Sequence, residues 1–71
     1  MSKYDNLWLY IKRRNSPILK LTFDEVENIL NFKIDHSFLN YKKELLQYGY
    51  FVDKISLKEK CITIKKNIEN N

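Results

Sequence analysis

The apolar positions at the beginning of the chain recur with the period of an α-helix. They are Tyr4, Leu7, Trp8 and Ile11. Their i, i+3, i+4, i+7 spacing predicts a helix over about residues 4–14 with one buried face. The cations at residues 12–14 suit its last turn, because the C-terminal end of a helix carries partial negative charge. Pro17 ends the helix, since the residue before a proline is disfavoured in the α region.

A short apolar run at residues 18–21 follows and is typical of a β-strand. Thr22 and Glu25 then have the spacing of a capping box, and Leu21 and Val26 flank them as a hydrophobic staple. Together they predict a second helix that opens at Asp24. Its apolar side is expected at Phe23, Val26, Ile29 and Leu30.

A third helix, at about residues 36–48, is predicted after a connection at residues 31–34. Asp35 or Ser37 can cap it, and Gly49, the one glycine of the chain, suits the position just after its end. The buried stripe is expected at Phe38, Tyr41, Leu45 and Tyr48. The opposite, outward face is expected at Asn40, Lys43, Glu44 and Gln47.

Two extended segments close the chain. Residues 50–57 are rich in aromatic and β-branched side chains, and residues 61–65 alternate Ile62 and Ile64 with less apolar positions. Residues 58–60 form a polar tip between them, so a hairpin is predicted. The chain is therefore expected to form one α+β domain over residues 1–66 with the winged-helix-like order α-β-α-α-β-β. Residues 67–71 are expected to be a frayed tail.

Composition and charge narrow the class of protein. Seventy-one residues suffice for one small core, and 44% apolar residues are too many for a disordered chain. Cys61 is the only cysteine, so no internal disulfide can form. No apolar run approaches membrane-spanning length, and the first residues lack the layout of a signal peptide. We expect a soluble, cytoplasmic protein, whose net charge of +4 slightly favours polyanionic partners.

Chemistry that would support catalysis is sparse in this sequence. His36 is the only histidine and has no nucleophile motif beside it, and there is no glycine-rich phosphate loop. One histidine and one cysteine cannot make a metal site in a monomer. We therefore expect a protein that is not an enzyme and uses no cofactor or metal.

Nucleic-acid binding follows from the predicted order of elements, because the second helix of a helix-turn-helix enters the major groove. Side chains expected to meet base edges or nearby phosphates from the third helix are Ser37, Asn40, Lys42, Lys43 and Gln47. Further phosphate contacts are expected from Lys58 and Lys60 at the hairpin tip and from Arg13 and Arg14. The same positions also suit an ordinary solvated helix face. Glu44 and the acidic second helix oppose tight DNA binding.

A protein partner is the alternative. The chain has the size and composition of a phage-encoded inhibitor of a host defence nuclease, of the anti-CRISPR kind, acting by protein contact or nucleic-acid mimicry. Its working surface would comprise Tyr10, Tyr48, Tyr50, Asp24, Glu25 and Glu27. Phe51 is expected in the core, whereas the tyrosines could lie either in the core or on the surface. A homodimer, formed for example by strand addition at the hairpin edge, is a third alternative.

Several blocks resemble a small bacterial and phage domain family whose activity is uncharacterised. They are the K-Y-D-x-L block at residues 3–7, the L-T-F-x-E-[IV]-E-x-I-L block at residues 21–30, the [LI]-x-x-S segment at residues 34–37 and the G-[WY]-x-V block that begins at Gly49. The family's tryptophan pair with a nearby asparagine, between the serine and the glycine, has no counterpart here. Asn31 stands where the family has glycine. Asparagine can replace glycine there if the backbone has αL geometry. The resemblance implies the same order of elements.

Overall fold

The computed structural model describes residues 2–67, which form an α+β fold with the predicted order of elements. The elements are α1 (Asp5–Arg14), β1 (Ile18–Thr22), α2 (Phe23–Leu30), α3 (Ser37–Tyr41), a 3₁₀ helix (Lys42–Tyr48), β2 (Tyr50–Ser56) and β3 (Cys61–Lys66). We call the continuous helical segment 37–48 helix three. No helix among the described residues is both long enough and apolar enough to span a membrane.

The apolar face of α1 forms the centre of the core, as predicted. Leu7, Trp8 and Ile11 are buried on it, and Tyr4 is buried just before its first residue. The Tyr4 ring lies within 6 Å, centroid to centroid, of four other aromatic rings, which belong to Trp8, Phe32, Phe38 and Tyr41. Aromatic rings supply large apolar areas, so this cluster fixes α1 against the segment that leads into helix three.

The three strands make one antiparallel sheet in the order β1-β3-β2. The inner face of the sheet presents Leu19, Leu21, Ile62 and Ile64 to the core. Opposite Thr63, β2 contains an extra residue at Asp53, where the register shifts between Val52 and Lys54. Such a bulge interrupts regular pairing and lies here on an edge strand.

The start of α2 is confirmed in its predicted geometry. The Glu25 amide donates to the Thr22 hydroxyl at 3.1 Å, and the Thr22 amide donates to the Glu25 carboxylate at 2.9 Å. Leu21 and Val26, the expected staple, are both buried. The helix begins at Phe23, one residue before the predicted start, and ends with Asn31 in the αL region at φ 68°.

Helix three differs from the prediction in its second half. Only residues Ser37–Tyr41 are α-helical, and Lys42–Tyr48 form a 3₁₀ helix with three residues per turn instead of 3.6. The tighter winding rotates successive side chains out of the α-helical register. The expected face was therefore wrong at Glu44, which is turned toward α1. It was also wrong at Tyr41, the last α-helical residue, which is 40% exposed although its ring packs against that of Tyr4.

The end of helix three and the hairpin follow the sequence closely. Gly49 ends the helix in the αL region at φ 87°, where an L side chain would be strained. Lys66 still belongs to β3, and the Asn67 amide donates to the Gly49 carbonyl at 2.8 Å. The first residue of the predicted frayed tail is thus paired, and the rest of that tail lies outside the described residues.

Candidate nucleic-acid interface

The outward side of helix three carries most of the side chains predicted to meet bases. Asn40, Lys43 and Gln47 are exposed. Leu39 and Leu46 lie among them and are 53% and 50% exposed, so the surface is polar with two apolar positions. Lys42, predicted to contact phosphate, is half-buried.

The Glu44 carboxylate is turned toward α1, away from Lys43, because two donors hold it there, and Glu44 and Gln47 line a small pocket with Asp5. The Ser2 hydroxyl donates to Glu44 Oε1 at 2.5 Å, and the buried Trp8 Nε1 donates to the same oxygen at 3.0 Å. Hydrogen bonds to an ionised carboxylate favour the charged form, so the Ser2 bond, followed by the Trp8 bond, holds the pKa of Glu44 below its ordinary value of 4.5. Glu44 is the only carboxylate in helix three, and its charge lies on the α1 side.

Ser37 has a structural role that reduces its availability to a ligand. Its hydroxyl donates to Asp35 Oδ1 at 2.5 Å and lies 2.7 Å from the Tyr4 hydroxyl oxygen. The Ser37 amide donates to the same Asp35 oxygen at 2.9 Å, so Asp35 closes a turn just before α3, whose N-cap position is His36. The two Ser37 bonds lower the pKa of the Asp35 carboxyl. The Ser37 hydroxyl therefore helps to order the start of the helix, and a base contact from it stays a prediction.

The predicted phosphate-binding cations fall into two groups at opposite ends of the sheet. Lys58 and Lys60 are exposed at the hairpin tip, where the Lys60 carbonyl accepts from the Phe23 amide. Arg13 and Arg14 are exposed at the end of α1, and the neighbouring Asn15 side chain accepts from Lys66 Nζ at the far end of β3. Six residues of β3 span about 20 Å, so one phosphate cannot contact both groups.

The expected partner surface is only partly exposed. Tyr50 is buried at 3% exposure, and its hydroxyl donates to Asn15, so its assignment to a surface was wrong. Tyr50 pairs with Lys66 at the start of the hairpin, and in this register its side chain lies on the inner face of the sheet, toward the core. Tyr10 and Tyr48 are half-buried and pack against the core. The acidic positions on α2 remain accessible: Asp24 and Glu25 are exposed and Glu27 is half-buried.

A surface that the sequence analysis missed lies on the outer face of the sheet. In the register, one row across the three strands is Ile18, Lys65 and Phe51, and the next row is Lys20, Thr63 and Lys54. Ile18 is 60% exposed, and Phe51 is half-buried but is not among the side chains that pack against the core. Phe51 was thus wrongly expected in the core. The alternation along β1 and β3 was the signal that could have revealed this face.

An apolar groove opens on the other side of the hairpin, between α2, the start of helix three and the tip. Its volume is about 680 Å³, and its lining includes Phe38, Ile55 and Ile62. Leu39 and the 78% exposed Leu57 lie at its rim. The exposed His36 also borders the groove and has no cluster of ligands around it: within residues 2–67, no three His, Cys, Asp or Glu side chains group as a metal site would require.

Comparison with known proteins gives no relative for this chain. It matches no family model, and neither a curated protein nor a solved structure is significantly similar to it.

Proposed function

We propose that this protein is a small non-enzymatic nucleic-acid-binding module of the winged-helix type. Helix three would enter the major groove of a duplex, and the β2–β3 hairpin would be the wing. The order helix, strand, helix, helix, hairpin and the strand order β1-β3-β2 support this proposal. The functional conclusion itself rests on the chemistry of helix three, since a fold alone does not fix a function.

The observation that carries the proposal is the inward position of Glu44. With that carboxylate bound to Trp8 and Ser2, Asn40 and Lys43 face outward on a side of helix three from which the Glu44 carboxylate is turned away. This side offers Asn40, which can pair with adenine, and Lys43, which can donate to guanine. Gln47 can also pair with adenine, but it lies beside Glu44 and Asp5, with which it lines a small pocket. The exposed leucines can contact thymine methyl groups, for which apolar side chains are suited.

The test is fluorescence anisotropy with a labelled duplex at several salt concentrations. We expect affinity to fall steeply with salt, and Lys42→Gln to reduce the slope of log K against log[salt] by about 0.9 by removing one phosphate contact. Lys43→Gln should weaken binding chiefly to sequences that place guanine opposite it. Asn40→Ala should weaken binding to selected sequences while leaving the salt slope unchanged, because a base contact releases no counterion. The matched control is Lys33→Gln, which removes the same charge from an exposed position outside helix three. Binding that is insensitive to salt, or absent, would contradict the proposal.

A second candidate is an inhibitor that acts by contact with a partner protein, such as a host defence nuclease. The observation that favours it is the apolar groove with Leu39 and Leu57 exposed at its rim, because exposed apolar patches mark interaction sites. We would compare partner capture by the wild type and by Leu39→Lys/Leu57→Lys. Loss of the same stoichiometric partner in the variant supports this candidate, and light scattering of the isolated protein tests whether that partner is a second copy.

A further inference from the structure

We infer that the outer face of the sheet binds single-stranded nucleic acid, with Phe51 as a stacking platform and Lys20, Lys54 and Lys65 as phosphate contacts. This inference deepens the proposed function and rests on it in one respect, that the ligand is a nucleic acid. The surface is the outer face of the sheet and not helix three, and the ligand is a single strand and not a duplex.

The arrangement of side chains across the strands is the first argument. Lys65 lies in the central strand with Ile18 on one side and Phe51 on the other, so one row is an apolar and aromatic strip interrupted by a cation. The adjacent row places Lys20 and Lys54 on the two outer strands, about 10 Å apart across two strand spacings. The two rows are about 7 Å apart along the strands. A base stacked on Phe51 therefore has Lys65 beside it in the same row, and Lys54 and Lys20 in the next row toward the hairpin tip.

The exposure of Phe51 is the second argument. The Phe51 ring is partly exposed on the outer face and is not among the side chains that pack against the core. Any base can stack on such a ring, which makes aromatic side chains on a sheet or groove a general means of holding unpaired strands. A duplex keeps its bases stacked on each other, so this surface suits a single strand.

Charge is the third argument. The outer face and the hairpin tip together carry Lys20, Lys54, Lys58, Lys60 and Lys65 against only Asp53 and Glu59. This surface thus holds three of the four net positive charges of the chain. Asp53 and Glu59 are engaged with Lys65 at 3.3 Å and with Lys20 at 3.6 Å. Lys54 has no ion pair among the described residues.

The face also continues into the cations of the hairpin tip. Lys58 and Lys60 are exposed beyond the end of β3 at which the row of Lys20 and Lys54 lies. A single strand that follows β3 would therefore pass from the tip, across the lysine row, to the Phe51 row.

The experiment measures anisotropy of labelled single-stranded DNA and RNA oligonucleotides, with the corresponding duplex as a further arm. Phe51→Leu keeps an apolar side chain but removes the π face, and we expect at least about a fivefold loss of single-strand affinity. Phe51→Tyr retains the ring and should bind within about twofold of the wild type, a difference of less than about 0.5 kcal/mol. Lys20→Gln/Lys54→Gln should lower the salt slope by about 1.4, since each phosphate contact to a single strand contributes about 0.7.

The matched control is Lys12→Gln/Lys33→Gln, which removes two charges from exposed positions away from the outer face and should leave single-strand affinity closer to the wild type. A heparin arm separates stacking from charge, because Phe51→Leu should not change heparin binding. Circular dichroism and urea midpoints check that each variant is folded. The relative affinities for DNA and RNA tell which single strand the face prefers.

Equal single-strand affinities of Phe51→Leu and the wild type would overturn the inference. An equal loss of single-strand affinity in the outer-face double lysine variant and in its control double variant would overturn it as well. If duplex binding depends on Lys43 while no single strand binds, the inference about the sheet fails and the helix-three proposal stands. If single strands bind through Phe51 while no duplex binds, the helix-three mode fails and this inference stands. If no nucleic acid binds, both fail.

Discussion

The Glu44 side chain has one role in the packing of the core and another at the candidate interface. Its carboxylate accepts hydrogen bonds from the Ser2 hydroxyl and from the indole of the buried Trp8. A buried indole N–H without a partner would be unfavourable, so the carboxylate satisfies a donor of the core. The same bonds draw the negative charge away from the outward side of helix three. One residue therefore supports both the packing of α1 and the positive character of the candidate interface.

The first prediction is that part of the pH dependence of the protein's stability comes from Glu44. Its folded-state pKa is depressed, so it contributes stability that is present above its ordinary pKa of 4.5 and is lost as pH falls through the folded-state pKa. We expect the urea midpoint of the wild type to fall between about pH 5 and pH 3. Glu44→Gln can still accept both hydrogen bonds but does not titrate, so its midpoint should fall less over this range. Trp8 fluorescence reports the local contact.

Two comparisons control that measurement. Asp35 also has a lowered pKa, because of its bonds from Ser37, and it should supply part of the pH dependence that remains in Glu44→Gln. Glu27→Gln removes a carboxylate from α2 and leaves the Trp8 network intact. Identical pH profiles for the wild type and Glu44→Gln would show that the hydrogen-bonded carboxylate does not contribute stability.

Local sequence signals determine most boundaries of the elements. The capping box at Thr22 and Glu25 separates β1 from α2 within one residue of its predicted position, because its hydrogen bonds join groups only three residues apart. Asn31 and Gly49 end their helices in the αL region, which their residue types favour. These features need no distant contact to form.

The second prediction concerns the capping box. Thr22→Ala removes the side-chain acceptor for the Glu25 amide and should lower the free energy of unfolding by about 1 kcal/mol. Thr22→Ser keeps the acceptor and should lose much less. Urea denaturation of the three proteins measures the difference. A Thr22→Ser loss as large as that of Thr22→Ala would mean that β-branching at the end of β1, and not the cap, is the source of the stability.

Helix three could not be assigned correctly from its own sequence. Its apolar spacing fits an α-helix, yet residues 42–48 adopt a 3₁₀ helix. In this winding Leu45 is buried and Glu44 reaches Trp8, while Tyr41 is partly exposed. The partners on α1 and at Ser2 lie more than 30 positions away in the sequence. Tertiary contacts of this kind override local periodicity. The order of the elements was therefore predictable from the sequence, whereas the orientation of these side chains was not.

At the scale of the whole molecule, Tyr4 joins α1 to the segment that begins helix three. Its ring packs against Phe32 and Phe38, and its hydroxyl lies 2.7 Å from Ser37 Oγ. The single hydrogen of the Ser37 hydroxyl is donated to Asp35, so the Tyr4 hydroxyl donates to Ser37. This chain of bonds connects the beginning of the described chain with its middle.

The third prediction follows from that connection. Tyr4→Phe keeps the aromatic cluster and removes the donor, so it should lower the free energy of unfolding by about 0.5–1.5 kcal/mol. Ser37→Ala should have a similar effect, and the double variant should lose less than the sum, because both changes remove the same bond. Tyr48→Phe is the control, since that hydroxyl makes no hydrogen bond among residues 2–67. Strict additivity in the cycle would exclude a coupled pair.

The sequence by itself determined the α+β class, the order of the elements, the capping box and most of the buried face of α1. Those features depend on periodicity and on hydrogen bonds between near neighbours in the chain. Only the tertiary structure decided that Glu44 faces Trp8, that Tyr50 is buried, and that Phe51 and three lysines share the outer face of the sheet. The physical reason is that register and packing bring together residues from distant elements, and neither property can be read from one segment alone.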